Sequence, residues 1–128
     1  MTQLENFNKQ VDPKYDLEER TARFGEECIR FCKKITRGTI TDPLVIQLVK
    51  CSTSVGANYC EADDAESKAD FKHKIGICKK ECRESKHFIR MLVVALESHD
   101  GIKENARQLW KEAKELNLIF NSIYKKVK

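Results

Sequence analysis

Two stretches of this chain place apolar or small residues in steps of four and three that never slip. Phe71, Ile75, Cys78, Cys82, Ser85, Ile89, Leu92 and Leu96 make the first series. Ile102, Ala106, Leu109, Ala113, Leu116, Phe120, Ile123 and Val127 make the second. Residues so spaced share one side of an α-helix, whereas a strand would scatter them over both faces. The spacing predicts two long amphipathic helices, each with a stripe to bury.

Punctuation supports the reading. Ser67 followed by Asp70 is an acidic variant of the capping box that opens a helix. The segment "SHDG" closes it, with Gly101 suited to a left-handed turn after a helix. Upstream, Asp16 with Glu19 predicts another helix start. Leu17, Thr21, Phe24, Cys28, Phe31 and Ile35 follow as its stripe, and Gly38 is its expected breaker. A fourth helix is predicted from Thr41 or Asp42 as cap, with Pro43 in the first helical position, to about Ala62. No run alternates with period two beside turn residues. Four amphipathic helices with short loops predict an all-α, antiparallel up-down four-helix bundle, ahead of a solenoid or a helix-turn-helix domain. The bundle is expected to occupy residues 1–128 as one domain, with residues 1–15 a flexible or extended lead-in.

The length of 128 residues suits one core. Lys and Arg number 24 against 20 Asp and Glu, a formal charge of +4, which is mildly basic. The amino terminus has no basic-then-apolar signal pattern, and no stretch approaches a membrane span. A soluble cytoplasmic protein with no membrane partner is expected, so the six cysteines read as reduced thiols rather than disulfides.

The helix from Leu44 to Cys60 is unusual, because Lys50 is its one charge. Leu44, Leu48, Cys51, Val55 and Tyr59 suffice for a core stripe. Val45, Ile46, Val49, Ser52, Thr53, Gly56, Ala57 and Cys60 remain. Ser52, Gly56 and Cys60 are four apart, as are Val49, Thr53 and Ala57, and small residues at this spacing let helices approach closely. A central helix buried inside a monomer would account for them. Four helices cannot easily cover one member on every side, however, so Val49, Ser52, Thr53, Gly56, Ala57 and Cys60 are expected at an oligomer interface. Ile77, Phe88, Met91 and Val94 form a second apolar strip on the following helix and also need a cover.

The stretch "STSVGANYCEADDAESKADFKHKIGICKKECRESKHFIRML" resembles the bacterial four-helix-bundle family that includes the ribosomal-RNA intervening-sequence proteins. Ser54, Ala57, Asn58, Glu61, Ala62, Ser67, Asp70, Phe71, Lys80, Glu81 and Glu84 carry the resemblance. Ala62 stands where some members have Gly. The resemblance implies a non-enzymatic homopentamer. It also implies possible partners, since a related branch, the accessory proteins of diversity-generating retroelements, binds a reverse transcriptase and its RNA. The same residues suggest a polar seam. Ser54, Asn58 and Glu61 lie along one edge of a helix, and Lys74, Glu81 and Glu84 along an edge of the next. Asn58 is expected to meet Glu81 or Glu84, with Lys50 or Lys74 balancing charge, in a seam that fixes register.

Residues 67–98 hold eight Lys and Arg against four acids. Lys72, Lys79, Arg83, Lys86 and Arg90 share one face, with His87 beside it, a ridge able to track a phosphate backbone. RNA is favoured over DNA only through the resemblance. A protein scaffold whose ridge meets an acidic protein is the alternative. Cys28 with Cys32 and Cys78 with Cys82 could in principle supply four thiolates to zinc. Three of them fall on core stripes, and no close Cys-x-x-Cys pair occurs, so no metal and no cofactor is expected. His73, His87 and His99 form no nucleophile arrangement, and no catalytic residue is assigned.

Overall fold

The chain enters its first helix at Asp16, whose carboxylate accepts a hydrogen bond from the Glu19 backbone N–H at 3.2 Å. This satisfies one of the N–H groups that a helix start leaves without an internal partner. The computed structural model describes residues 16–97 and 100–128. They form α1 (Leu17–Lys33), α2 (Thr41–Asp63), α3 (Lys68–Ala95) and α4 (Asp100–Lys126), with no strand among the described residues. The lead-in expected at residues 1–15, and Ser98 and His99 of the expected stop, lie outside the described residues.

Each helix packs against its neighbours in sequence, and a sparser contact between α1 and α4 closes the ring. The result is an antiparallel up-down four-helix bundle. All four stripes turn inward. Phe24, Phe31, Leu48, Val55, Ile75, Ile89, Leu92, Leu116 and Phe120 are fully buried. Cys28, Cys51, Cys78 and Cys82 fill the space between them, as small apolar residues do. Burial pushes the thiols of Cys28 and Cys78 up to about 12 and that of Cys32 up to about 11. All six cysteines are free. No helix among the described residues is long and apolar enough to cross a membrane.

Three helix ends differ from expectation. α2 begins at Thr41 after an Ile40 cap that offers no side-chain bond, so Pro43 is its third residue rather than its first. Proline is tolerated there because the first four N–H groups of a helix lack internal acceptors anyway. Thr41 and Asp42 tie down the preceding loop instead of capping. Thr41 Oγ1 donates to the Thr36 carbonyl at 3.0 Å, and Asp42 Oδ1 accepts from the Gly38 N–H at 3.1 Å. α1 ends at Lys33, well before Gly38, by closing its last carbonyls with the N–H groups of Lys34 and Ile35. Gly101 lies in the first turn of α4, and no described glycine has a positive φ. Ser67 behaves as expected: its Oγ accepts from the Asp70 N–H at 3.0 Å.

Candidate nucleic-acid interface

The basic residues of α3 lie one position beyond its core stripe, on the side that meets α4. Lys72 and Lys79 place their ammonium groups over the Tyr124 ring, 4.7 and 4.5 Å from its centroid. Lys86 stands over the Trp110 ring at 5.4 Å, with Lys114 of α4 at 5.5 Å. Arg83 lines the groove between these rings together with Lys79, Lys80, Lys86, Asn117 and Asn121. Arg90 is exposed one turn beyond Lys86. The helices are stitched here by Asn117, whose Nδ2 donates to the Lys79 carbonyl at 2.8 Å, and by a longer contact of 3.5 Å from Lys79 Nζ to Asn121 Oδ1. Gly76 makes room for the aromatic ring: a Cβ there would sit 3.2 Å from Tyr124 Cε2.

No carboxylate is among the residues that line this groove. Glu84 lines an adjoining depression with Gln47, Lys80, Arg83, His87 and Phe88, so Lys80 and Arg83 border both it and the groove. Glu112 and Glu115 of α4 turn toward α1, where both hold Arg20. The cationic ridge read from the sequence therefore faces a partner strip it did not reveal: Trp110, Lys114, Asn117, Asn121 and Tyr124. These residues recur in steps of four and three, immediately beside the α4 core stripe. That repeat was the signal available in the sequence.

The small residues of α2 divide into two groups. Ser52 is buried inside the bundle, which corrects its expected place on an outer surface. Its Oγ has no hydrogen-bond partner among the described residues. Gly56 packs on Thr21 of α1: a Cβ would lie 3.3 Å from Thr21 Oγ1. Reciprocally, Gly25 of α1 packs on the Ser52 carbonyl and on Thr53. The two backbones run close together here, most tightly at Gly56, so part of the small-residue stripe serves a contact within the chain. Thr53, Ala57 and Cys60 stay exposed and, with Ala22, Gly25 and Ile29, line a shallow, mostly apolar groove. Val49 is partly buried against the core, while Ile46 remains 58% exposed.

The polar seam is only partly closed within the chain. Asn58 Nδ2 donates to the Ser54 carbonyl at 2.9 Å, and Ser54 Oγ donates to the Lys50 carbonyl at 2.7 Å. Asn58 thus bonds its own helix instead of Glu81 or Glu84, because a carbonyl one turn away is always within reach. The link between helices is Lys74 to Glu61, at 2.8 Å. Among the described residues, Glu81 and Glu84 have no cation within ion-pair distance. Burial, and then the charge of Glu84, holds the Glu81 carboxyl above its usual value.

Cys28, Cys32, Cys78 and Cys82 are all core residues. Among the described residues no three His, Cys, Asp or Glu side chains converge closely enough to hold a metal ion.

Comparison with known proteins follows the architecture. No curated protein matches the sequence. The fold is similar to the crystal structure of a protein of unknown function from the S23 ribosomal protein family of Bacteroides thetaiotaomicron. The TM-score is 0.71 at 24% identity, covering 86% of this chain and 99% of that one. The 23S rRNA-intervening sequence protein family matches residues 14–122, from the lead of α1 into the last turns of α4. The chain belongs to the 23S rRNA-intervening sequence protein family.

Proposed function

We propose that this protein is a non-enzymatic, self-assembling adaptor that binds RNA along the α3–α4 groove. The observation that carries the reading is the groove itself. Lys72, Lys79, Lys80, Arg83, Lys86 and Lys114 gather there, no carboxylate lines the groove, and Glu112 and Glu115 of α4 turn away to Arg20. Phosphate contacts supply most of the affinity of such a surface and make it salt-dependent. Self-assembly is supported by the exposed apolar positions of α1 and α2 and by Glu81 and Glu84, which have no ion-pair partner among the described residues. The family resemblance suggests five copies and a protein partner such as a reverse transcriptase. Repeating the groove around a ring would add avidity to a modest affinity per chain.

The test is RNA binding followed by fluorescence anisotropy across a salt series. Five phosphate contacts to a single strand give a slope of log affinity against log salt of about −3.5. Reversing two charges, Arg83→Glu with Lys86→Glu, is expected to reduce the magnitude of the slope by about 1.4. Affinity that survives the double reversal refutes the groove. Salt-dependent binding of an acidic protein in place of RNA would favour the protein scaffold. Light scattering on a sizing column tests assembly, and a monomer mass would refute it.

A further inference from the structure

We infer that the α3–α4 groove selects single-stranded over duplex nucleic acid, with Trp110 and Tyr124 as stacking platforms at its two ends. The inference rests on the RNA-binding reading above and adds the form of the ligand. Each ring is partly buried at its base and covered by the ammonium groups of lysines, at 4.5–4.7 Å for Tyr124 and 5.4–5.5 Å for Trp110. Trp110 and Tyr124 are fourteen residues apart on one helix. That is about 21 Å along its axis, and Lys79, Arg83, Lys86, Asn117 and Asn121 line the interval.

A cation over an exposed ring is a weak, sequence-tolerant contact. Stacking a nucleobase on the same ring is stronger, by roughly a factor of ten in affinity. A strand entering the groove would displace the lysines from the rings. The freed ammonium groups would remain within a side chain's reach of the phosphates that follow those bases. Aromatic surface and cationic surface would then be used together by one ligand. A duplex cannot exploit this arrangement. Its bases are already stacked and paired, so it offers the rings no free base face. The Asn121 amide nitrogen and the Asn117 side-chain carbonyl, which have no hydrogen-bond partner among the described residues, sit between the platforms, where an unpaired base edge can meet them.

The chain supplies its own probe, because Trp110 is its one tryptophan. The full-length protein would be titrated at fixed salt with a short unstructured RNA strand and with an RNA duplex of equal length. Tryptophan emission and the anisotropy of dye-labelled RNA would be read in parallel. The strand is expected to quench emission saturably and to bind about tenfold more tightly than the duplex. Tyr124→Leu is expected to weaken strand binding about fivefold or more, leaving duplex affinity and the salt slope unchanged. Trp110→Leu should do the same where circular dichroism shows it folded; the wild-type quenching needs no variant. Equal binding of strand and duplex with unquenched emission overturns the stacking inference and leaves the phosphate-binding groove standing. Binding of neither RNA at low salt overturns both.

Discussion

The contact between α1 and α4 is sparser than those between helices consecutive in sequence, and one arginine spans it. Arg20 is 13% exposed; its Nε and Nη2 reach the two oxygens of Glu112 at 2.9 and 2.8 Å, and Nη2 reaches Glu115 at 3.0 Å. The two acids differ in surroundings: the Glu112 side chain is 31% exposed and that of Glu115 55%. A forked, charge-assisted pair in a partly dry site contributes about 2 kcal/mol, whereas an exposed pair contributes about 0.5 kcal/mol. Arg20→Met keeps the apolar stem and removes the fork, leaving Glu112 half-covered without its cation. The expected loss is about 2–3 kcal/mol, or a fall in melting temperature of roughly 8–12 °C for a domain of this size. Glu112→Gln should lose about 1–2 kcal/mol, and Glu115→Gln less than about 0.5 kcal/mol. Thermal melts at one fixed protein concentration provide the assay, since assembly would make the midpoint concentration-dependent. A double-mutant cycle between Arg20 and Glu112 isolates the coupling. An Arg20→Met protein melting within a degree or two of the wild type, or Glu115→Gln proving as harmful as Glu112→Gln, refutes the reasoning.

Three further outcomes are expected. Thiols in the unfolded chain lose their protons near their ordinary value, while Cys28, Cys32 and Cys78 keep theirs to about 12, 11 and 12. The folded state therefore holds more protons above pH ~9, and stability should fall toward pH 11 by up to ~1.4 kcal/mol per thiol per pH unit; urea midpoints that do not move between pH 7.5 and pH ~10 contradict it. Gly25→Ala adds a methyl at ordinary contact distance and should stabilise by about 1 kcal/mol, whereas Gly56→Ala meets a Thr21 hydroxyl fixed by the Leu17 carbonyl and should gain less, while Gly56→Val should destabilise by about 1–3 kcal/mol; the reverse order of urea midpoints would falsify the close α1–α2 contact. Glu81 has a raised carboxyl, so its contribution favours folding at acid pH and is lost as pH rises through its folded value. Glu81→Gln should therefore raise the melting temperature slightly at pH 7 and change it little at pH 4, and a lower melting temperature at pH 7 would show that the carboxylate has a partner.

Two features were legible for a shared reason. The caps at Asp16 and Ser67 are settled within four residues of chain. The core stripes were legible because a four-three repeat leaves a helix one face to bury. Ends of helices were read less well. Thr41 and Asp42 are good capping residues, but the loop from Thr36 to Gly38 offered them partners first. Asn58 failed to cross to α3 because its own helix presents a carbonyl at the right distance, with no alignment of two helices needed.

The sequence by itself determined the four helices, the faces they bury and the cationic ridge of α3, since each follows from spacing along one element. Tertiary structure alone decided what those faces meet. It set Trp110, Asn117, Asn121 and Tyr124 opposite the ridge, turned Glu112 and Glu115 away toward Arg20, and placed Ser52 and Gly56 against α1. Helical periodicity fixes the angle of a side chain about its own axis. Which neighbour stands at that angle depends on how helices distant in sequence pack, and no residue spacing within one helix encodes that.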